Sequence, residues 1–146
     1  MDMSRRQFVK TTTLSAAALG ASRLCAFGNT AVAGANDRIR VGIVGFSDRF
    51  KGSLLPAFME HAKAQNFDIV ALSDLWSRRR DEGKAHLEKQ LGHPIEVCRN
   101  NEELYETVKD LDAVIISTAD FQHALHTVEA VKAGKDVYTE KPLAET

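Results

Sequence analysis

Residues 39–52 read I-R-V-G-I-V-G-F-S-D-R-F-K-G. Ile39, Val41, Ile43 and Val44 form the short apolar run that a strand covered on both faces requires. The run stops at Gly45. A polar loop then leads to Leu54, Leu55, Phe58, Met59 and Ala62, which are spaced for a helix. Strand, glycine turn and helix make the opening of a dinucleotide-binding βαβ unit. In such a unit the free N–H groups and dipole of the helix start hold a pyrophosphate. The fingerprint asks for G-x-G-x-x-G. Here Gly45 is followed by Ser47 and Phe50 at the second and third glycine positions, and the next glycine is Gly52. A serine at the second position either donates a hydrogen bond to the phosphates or crowds them.

Working outward, the same alternation repeats to the end of the chain. Asp68 to Asp74 reads as a second buried strand ending in an acid, and Ser77 is placed to cap a helix that runs to about Leu91 and stops at Gly92. Ile95 to Cys98 is a short third strand. Asn100 with Glu103 resembles a capping box opening a helix that carries Leu104, Val108 and Leu111. Asp112 to Thr118 is a fourth strand. The next helix sets Phe121, Leu125, Val128 and Val131 at i, i+4, i+7 and i+10, an apolar stripe expected to face the core, and Gly134 ends it. Asp136 to Thr139 is a fifth strand. Unbroken β-α alternation predicts an α/β fold, a Rossmann-like doubly wound parallel sheet of strand order 3-2-1-4-5 with right-handed crossovers. The chain stops at Thr146, so a fragment is expected, truncated before a sixth strand and a substrate domain.

Residues 1–35 read as an address rather than as part of this domain, which is expected over 36–146. Ser4-Arg5-Arg6-Gln7-Phe8-Val9-Lys10 resembles the twin-arginine export motif, a modest apolar run spans 11–21, and Ala31-Val32-Ala33 offers a cleavage site. The run is too short for a permanent membrane anchor. Export by the twin-arginine route to the periplasm, or another site beyond the cytoplasm, is the expectation.

The 146 residues are 27% charged with a formal net charge of −1, which gives no electrostatic reason for a nucleic-acid partner. Arg78, Arg79 and Arg80 form a dense basic run, read either as a solvated helix face or as a holder of a 2′-phosphate. The two cysteines, Cys25 and Cys98, fall in different regions, and no disulfide is expected. His123 and His126 stand three apart without a third ligand, so no metal site is expected.

Asp74, at the end of the second strand, is the residue most specific to a cofactor. Its carboxylate can accept hydrogen bonds from ribose hydroxyls of NAD and would repel the 2′-phosphate of NADP. Its interval from Gly45 exceeds the usual ~20 residues, largely through the long first loop. The plainer reading is a turn residue. Trp76 either packs against an adenine or is a surface aromatic.

Two further segments follow the fourth and fifth strands, where ligands bind in parallel sheets: Thr118-Ala119-Asp120-Phe121-Gln122-His123 and Glu140-Lys141-Pro142. The run from Asp112 through Glu140-Lys141-Pro142-Leu143-Ala144 resembles the second half of the nucleotide-binding domain of the Gfo/Idh/MocA oxidoreductases. The resemblance covers about residues 38–146. It implies NAD as cofactor (NADP being the minority reading) and a cofactor surface of Gly45, Phe46, Ser47, Arg49, Asp74, Thr118, Ala119, His123, Glu140, Lys141 and Pro142. Lys141 matches the family lysine beside the nicotinamide and the substrate hydroxyl, where it assists proton transfer, and is the expected catalytic residue. Pro142 matches a proline often held cis, and Glu140 would line the same pocket. Thr118 and His123 match a T-P-x-x-x-H loop in which Ala119 here replaces the proline. Plainer readings make Lys141 a surface lysine and His123 a helix starter.

The resemblance implies hydride transfer to or from a secondary alcohol carbon of a sugar, polyol or glycoside, in a full-length protein expected to be a homo-oligomer. An NAD-dependent glycosidase working by transient oxidation is the alternative within that chemistry, and a non-catalytic nucleotide-binding module is the alternative outside it. The fragment alone is expected to bind cofactor at most.

Overall fold

The computed structural model describes residues 38–144. The expected export signal, with Cys25, lies outside them. Five strands form one parallel sheet: β1 (Ile39–Val44), β2 (Phe67–Ser73), β3 (Glu96–Cys98), β4 (Ala113–Ile116) and β5 (Asp136–Thr139). They lie in the order β3-β2-β1-β4-β5. Central β1 pairs with β2 on one side and β4 on the other, with Ile43 opposite Leu72 and Ile115. Successive residues of β1 face opposite layers, as the period of two demands. Ile43 joins a core layer with Phe46, Phe50, Phe58 and Leu87, while Val44 joins the other with Leu104, Val114, Ile116 and Ala130. Both faces are therefore packed, which is why the strands read as apolar runs rather than as alternations.

Four helices connect the strands: α1 (Leu55–Gln65), α2 (Ser77–Leu91), α3 (Asn101–Thr107) and α4 (His123–Lys132). The first helical segment begins at Asp48 and passes through a wide π-turn over Phe50–Leu54 before α1. Pro56 supplies the reason. Its ring would collide with the carbonyl four residues back, and the wide turn relieves that clash. At α3, Asn100 Oδ1 accepts from the Glu103 amide at 2.8 Å and the Glu103 carboxylate from that of Arg99 at 2.6 Å. That is the expected reciprocal cap, reaching one residue further back. Val108 and Leu111 are buried but lie beyond the end of α3.

Two expectations are corrected. Ser77 does not cap α2. It is the first helical residue, and Trp76 stands at the cap position without a side-chain hydrogen bond. The apolar stripe of α4 does not face the core. Phe121, Leu125, Val128 and Val131 are 72%, 57%, 49% and 60% exposed, while His123, His126 and Ala130 are buried. Those three are also helically spaced, at i, i+3 and i+7. The small Ala130 lets the helix lie close to the sheet, and the two imidazoles find hydrogen-bond partners there that the apolar stripe could not use.

At the end of the sheet remote from the strands' carboxyl ends, His93 bridges two segments. Its Nε2 lies 3.0 Å from Asp68 Oδ1 and its Nδ1 2.9 Å from the Pro94 carbonyl oxygen. The Pro94 carbonyl and then Asp68 raise its pKa above the ordinary value near 6.5. A histidine raised in the folded state stabilises fully below its unfolded pKa, and that gain disappears as pH rises through the folded one. Thermal melts from pH 6 to 9 are expected to show wild type losing stability relative to His93→Gln as pH rises. Parallel curves would refute the role.

Candidate functional site

The order of the sheet reverses between β1 and β4, and ligands of doubly wound sheets bind in the crevice at such a point. Here an open cleft of about 1030 Å³ lies against the carboxyl ends of β1, β2 and β4. Gly45 begins it, with φ at +88°. A Cβ there would stand 2.7 Å from Thr118 Cγ2 and 3.1 Å from Thr118 Cα. The absence of a side chain is what lets the β1 and β4 loops meet. Ser117 Oγ donates to the Gly45 carbonyl at 2.8 Å, and the Gly45 amide donates to Ser73 O at 2.8 Å.

The loop after Gly45 splits its duties between backbone and side chains. The Phe46 ring is fully buried, 5.8 Å from that of Phe50, so its side chain belongs to the core and only its backbone faces the cleft. Ser47 Oγ accepts from the Phe50 amide at 3.1 Å, capping the helix start rather than crowding the loop. The earlier amides of the first helical turn have no acceptor within the helix and are left for a ligand.

Asp74 holds two loops at once. Its Oδ2 accepts from the Phe46 amide and its Oδ1 from the Trp76 amide, both at 2.9 Å. It is thus a turn residue and a cleft residue together, and each oxygen keeps a lone pair for a further donor. The three arginines beyond it are all engaged. Arg80 Nη1 donates to the Asp74 and Leu75 carbonyls at 2.6 and 3.0 Å. Arg79 contacts Asp48 and Glu82. Arg78 lies over the Trp76 ring at 5.5 Å. Exposed Leu75, Trp76 and Leu125 line the cleft and give it apolar walls.

The far wall carries residues that the sequence reading missed. Ser73 Oγ donates to Asn101 Oδ1 at 2.9 Å, and Asn101 Nδ2 donates to Glu129 Oε2 at 3.0 Å. His126 Nδ1 lies 3.0 Å from Thr118 Oγ1, and burial lowers its pKa, so the ring is neutral near pH 7. The Tyr105 hydroxyl is buried without a partner, its pKa pushed up to about 12 chiefly by burial and then by Glu129. The signal was present as His123, His126 and Glu129 at i, i+3 and i+6, one helical face.

A second group gathers at the ends of β4 and β5, outside the lining of this cleft. Arg49 Nε and Nη2 donate to the two oxygens of Glu140 at 3.2 and 3.4 Å, and Glu140 is only 7% exposed. The two residues expected against the cofactor therefore hold each other and tie the first helical turn to β5. His123 is buried, with Nδ1 2.8 Å from Pro142 O and Nε2 3.2 Å from Thr118 O. Both partners are carbonyl acceptors, so N–H donation from the ring ties His123 to the two loops. His123 joins two loops and does not line the cleft. Ala119 lies at φ −69°, within the range of the proline it replaces. Lys141 is exposed, and the Lys141–Pro142 peptide is cis. Among the described residues, no group of three His, Cys, Asp or Glu could hold a metal ion, and no helix is long and apolar enough to cross a membrane.

The cleft, its acid and the strand order are what a nicotinamide-dinucleotide domain requires, and the family model for the oxidoreductase family with an NAD-binding Rossmann fold matches residues 39–146. The chain belongs to the Gfo/Idh/MocA oxidoreductases. It is 34% identical over 110 residues to a 1-carboxy-3-chloro-3,4-dihydroxycyclohexa-1,5-diene dehydrogenase from Comamonas testosteroni, covering 74% of this chain and 25% of that protein. It is 30% identical over 164 residues to a glycosyl hydrolase family 109 protein from Shewanella pealeana, covering 100% of this chain and 35% of the relative. Among solved structures, KijD10 from Actinomadura kijaniata, a 3-ketoreductase in complex with NADP and TDP-benzene, superposes with a TM-score of 0.61 at 28% identity, covering 74% of this chain and 30% of that one. The chain thus spans a quarter to about a third of the length of the relatives it matches. Within this Gfo/Idh/MocA domain the cleft and the Glu140–Lys141–Pro142 turn occupy neighbouring strand ends.

Proposed function

We propose that this chain is the cofactor-binding part of an NAD-dependent oxidoreductase that moves a hydride to or from a secondary alcohol carbon of a sugar, polyol or glycoside. The observation that carries the reading is Asp74, which fixes both loops of the cleft and keeps lone pairs for ribose hydroxyls. A dinucleotide fits the residues present. Unsatisfied first-turn amides meet its phosphates, apolar Leu75, Trp76 and Leu125 flank a base, and the strand ends of β4 and β5 lie beyond. Bound there, the nicotinamide supplies a hydride acceptor in one direction and a donor in the other. The chain's own part is to orient the ring and, through Lys141, to take or return the hydroxyl proton.

The relative named as a glycosyl hydrolase aligns with the whole chain and favours a second reading, a glycosidase that oxidises its substrate transiently and restores it. We place either enzyme outside the cytoplasm on the strength of the Arg5-Arg6 motif, and as a homo-oligomer when full length. Sugar assays of the full-length protein with and without added NAD test whether the cofactor stays bound, since a bound, recycled cofactor makes turnover independent of added NAD, and turnover that needs stoichiometric external NAD rejects it.

Trp76 is the chain's single tryptophan and borders the cleft, so its emission reports binding directly. Titration with NADH is expected to be saturable. Asp74→Ala is expected to weaken binding about 10- to 100-fold, the worth of ~1.5–3 kcal/mol in charge-assisted hydrogen bonds. A folded chain that does not bind NADH would overturn the proposal.

A further inference from the structure

We infer that Asp48 and Glu82, by holding Arg79, make the cleft select a dinucleotide with a free 2′-hydroxyl over one bearing a 2′-phosphate. The inference rests on the dinucleotide reading above and adds the residues that set its cofactor choice.

Arg79 is the one guanidinium that lines the cleft among the described residues, and it stands five residues beyond Asp74. It is the natural partner for a 2′-phosphate, because its planar fork matches phosphate geometry. One arm of that fork, Nη1, is already shared between two carboxylates. Arg79 Nη1 lies 3.0 Å from Asp48 Oδ1 and 3.2 Å from Glu82 Oε2. Lys51 Nζ closes the set, 2.6 Å from Glu82 Oε1 and 3.6 Å from Asp48 Oδ1. Two acids and two bases leave no net charge for an anion to find. Asp48 itself borders the cleft. A phosphate carrying about −1.5 to −2 charges at pH 7 would meet the Asp74 and Asp48 carboxylates and a guanidinium whose charge two carboxylates already balance.

The neighbouring arginines offer no substitute. Neither lines the cleft: Arg78 lies over Trp76, and Arg80 holds the Asp74 and Leu75 carbonyls. To reach Arg79, the phosphate must approach a guanidinium whose charge Asp48 and Glu82 already balance, with the Asp48 carboxylate beside it in the cleft. A 2′-hydroxyl asks only for an acceptor, which Asp74 provides. Asp48 is exposed and Lys51, Arg79 and Glu82 are only partly covered, and ion pairs open to solvent add little to folding. Removing these pairs therefore tests recognition without unfolding the chain.

The experiment is a fluorescence titration of the 146-residue chain with NADH and with NADPH, for wild type, Asp48→Asn/Glu82→Gln, and that double variant with Arg79→Ala added. Wild type is expected to prefer NADH. The double variant is expected to bind NADPH about tenfold more tightly while its NADH affinity holds, and adding Arg79→Ala is expected to abolish the gain. An affinity ratio unmoved in the double variant, a gain that survives Arg79→Ala, or a wild type that prefers NADPH overturns the inference alone. A folded wild type that binds neither nucleotide overturns the dinucleotide reading, and this inference with it.

Discussion

In a full-length protein carrying this domain, Lys141→Ala is expected to slow turnover by about 10²–10⁴-fold, with NADH binding little changed. The backbone around Lys141 is held on both sides. The Glu140 amide donates to the Ile116 carbonyl at 3.0 Å, continuing the pairing of β4 with β5. The Pro142 carbonyl is held by His123. The side chain between them is exposed, so its position is set while its amine stays free to exchange a proton. An alcohol carbon gives up hydride readily only as its O–H proton departs, and losing the base removes that assistance while leaving the cleft of Asp74 untouched. Lys141→Arg separates chemistry from charge, because a guanidinium keeps the positive charge but cannot be deprotonated. If the arginine variant recovers full activity, Lys141 acts as a charge and not as a base. If alanine costs nothing, hydride transfer with Lys141 as base is wrong.

Gly45→Ala is expected to destabilise the chain by about 2–5 kcal/mol and to abolish NADH binding where the chain still folds. Two penalties add. The +88° φ disfavours any residue with a Cβ, and the new methyl would press on Thr118. The nearest atom, Cγ2 of Thr118, belongs to a side chain and can yield, but the Thr118 Cα and N behind it lie at 3.1 and 3.2 Å and are backbone. Thr118→Ala in the same chain should therefore recover only part of the loss. Denaturant melts of the single and double variants measure it. Complete recovery would mean that the side chain alone set the limit, and no destabilisation would mean that the loops do not meet as described.

The sheet was legible because its strands are covered on both faces, so five apolar runs separated by helix signals leave little choice of fold. Asp74 was legible for a local reason, an acid at a strand end. Other features depended on partners far along the chain. Nothing near Arg49 announces Glu140, 91 positions away. His123 read as a ligand because its acceptors, Thr118 O and Pro142 O, become neighbours only once β4 and β5 pair. The orientation of α4 was misread because its apolar residues are more numerous than its buried ones. The helix sits instead by the fit of Ala130 and two hydrogen-bonded imidazoles.

The missing third glycine of the fingerprint was legible as a departure but not in its compensation. That glycine serves close packing of helix on strand. In this chain Phe50 takes its place, and closeness passes to α2. A Cβ on Gly83 would lie 2.5 Å from Leu72 Cδ2 and 2.9 Å from Phe46 Cγ. A glycine in mid-helix reads as a weakness until the ring that needs its space is known.

Cys98 is 1% exposed at the end of β3, and burial with the nearby Glu103 and Glu96 pushes its thiol up to about 11. At pH 7 the thiol is the resident form, not the thiolate that oxidises and exchanges. For a domain proposed to work beyond the reducing cytoplasm, this makes its described thiol chemically silent. It needs neither a disulfide partner nor a reductant to stay as it is.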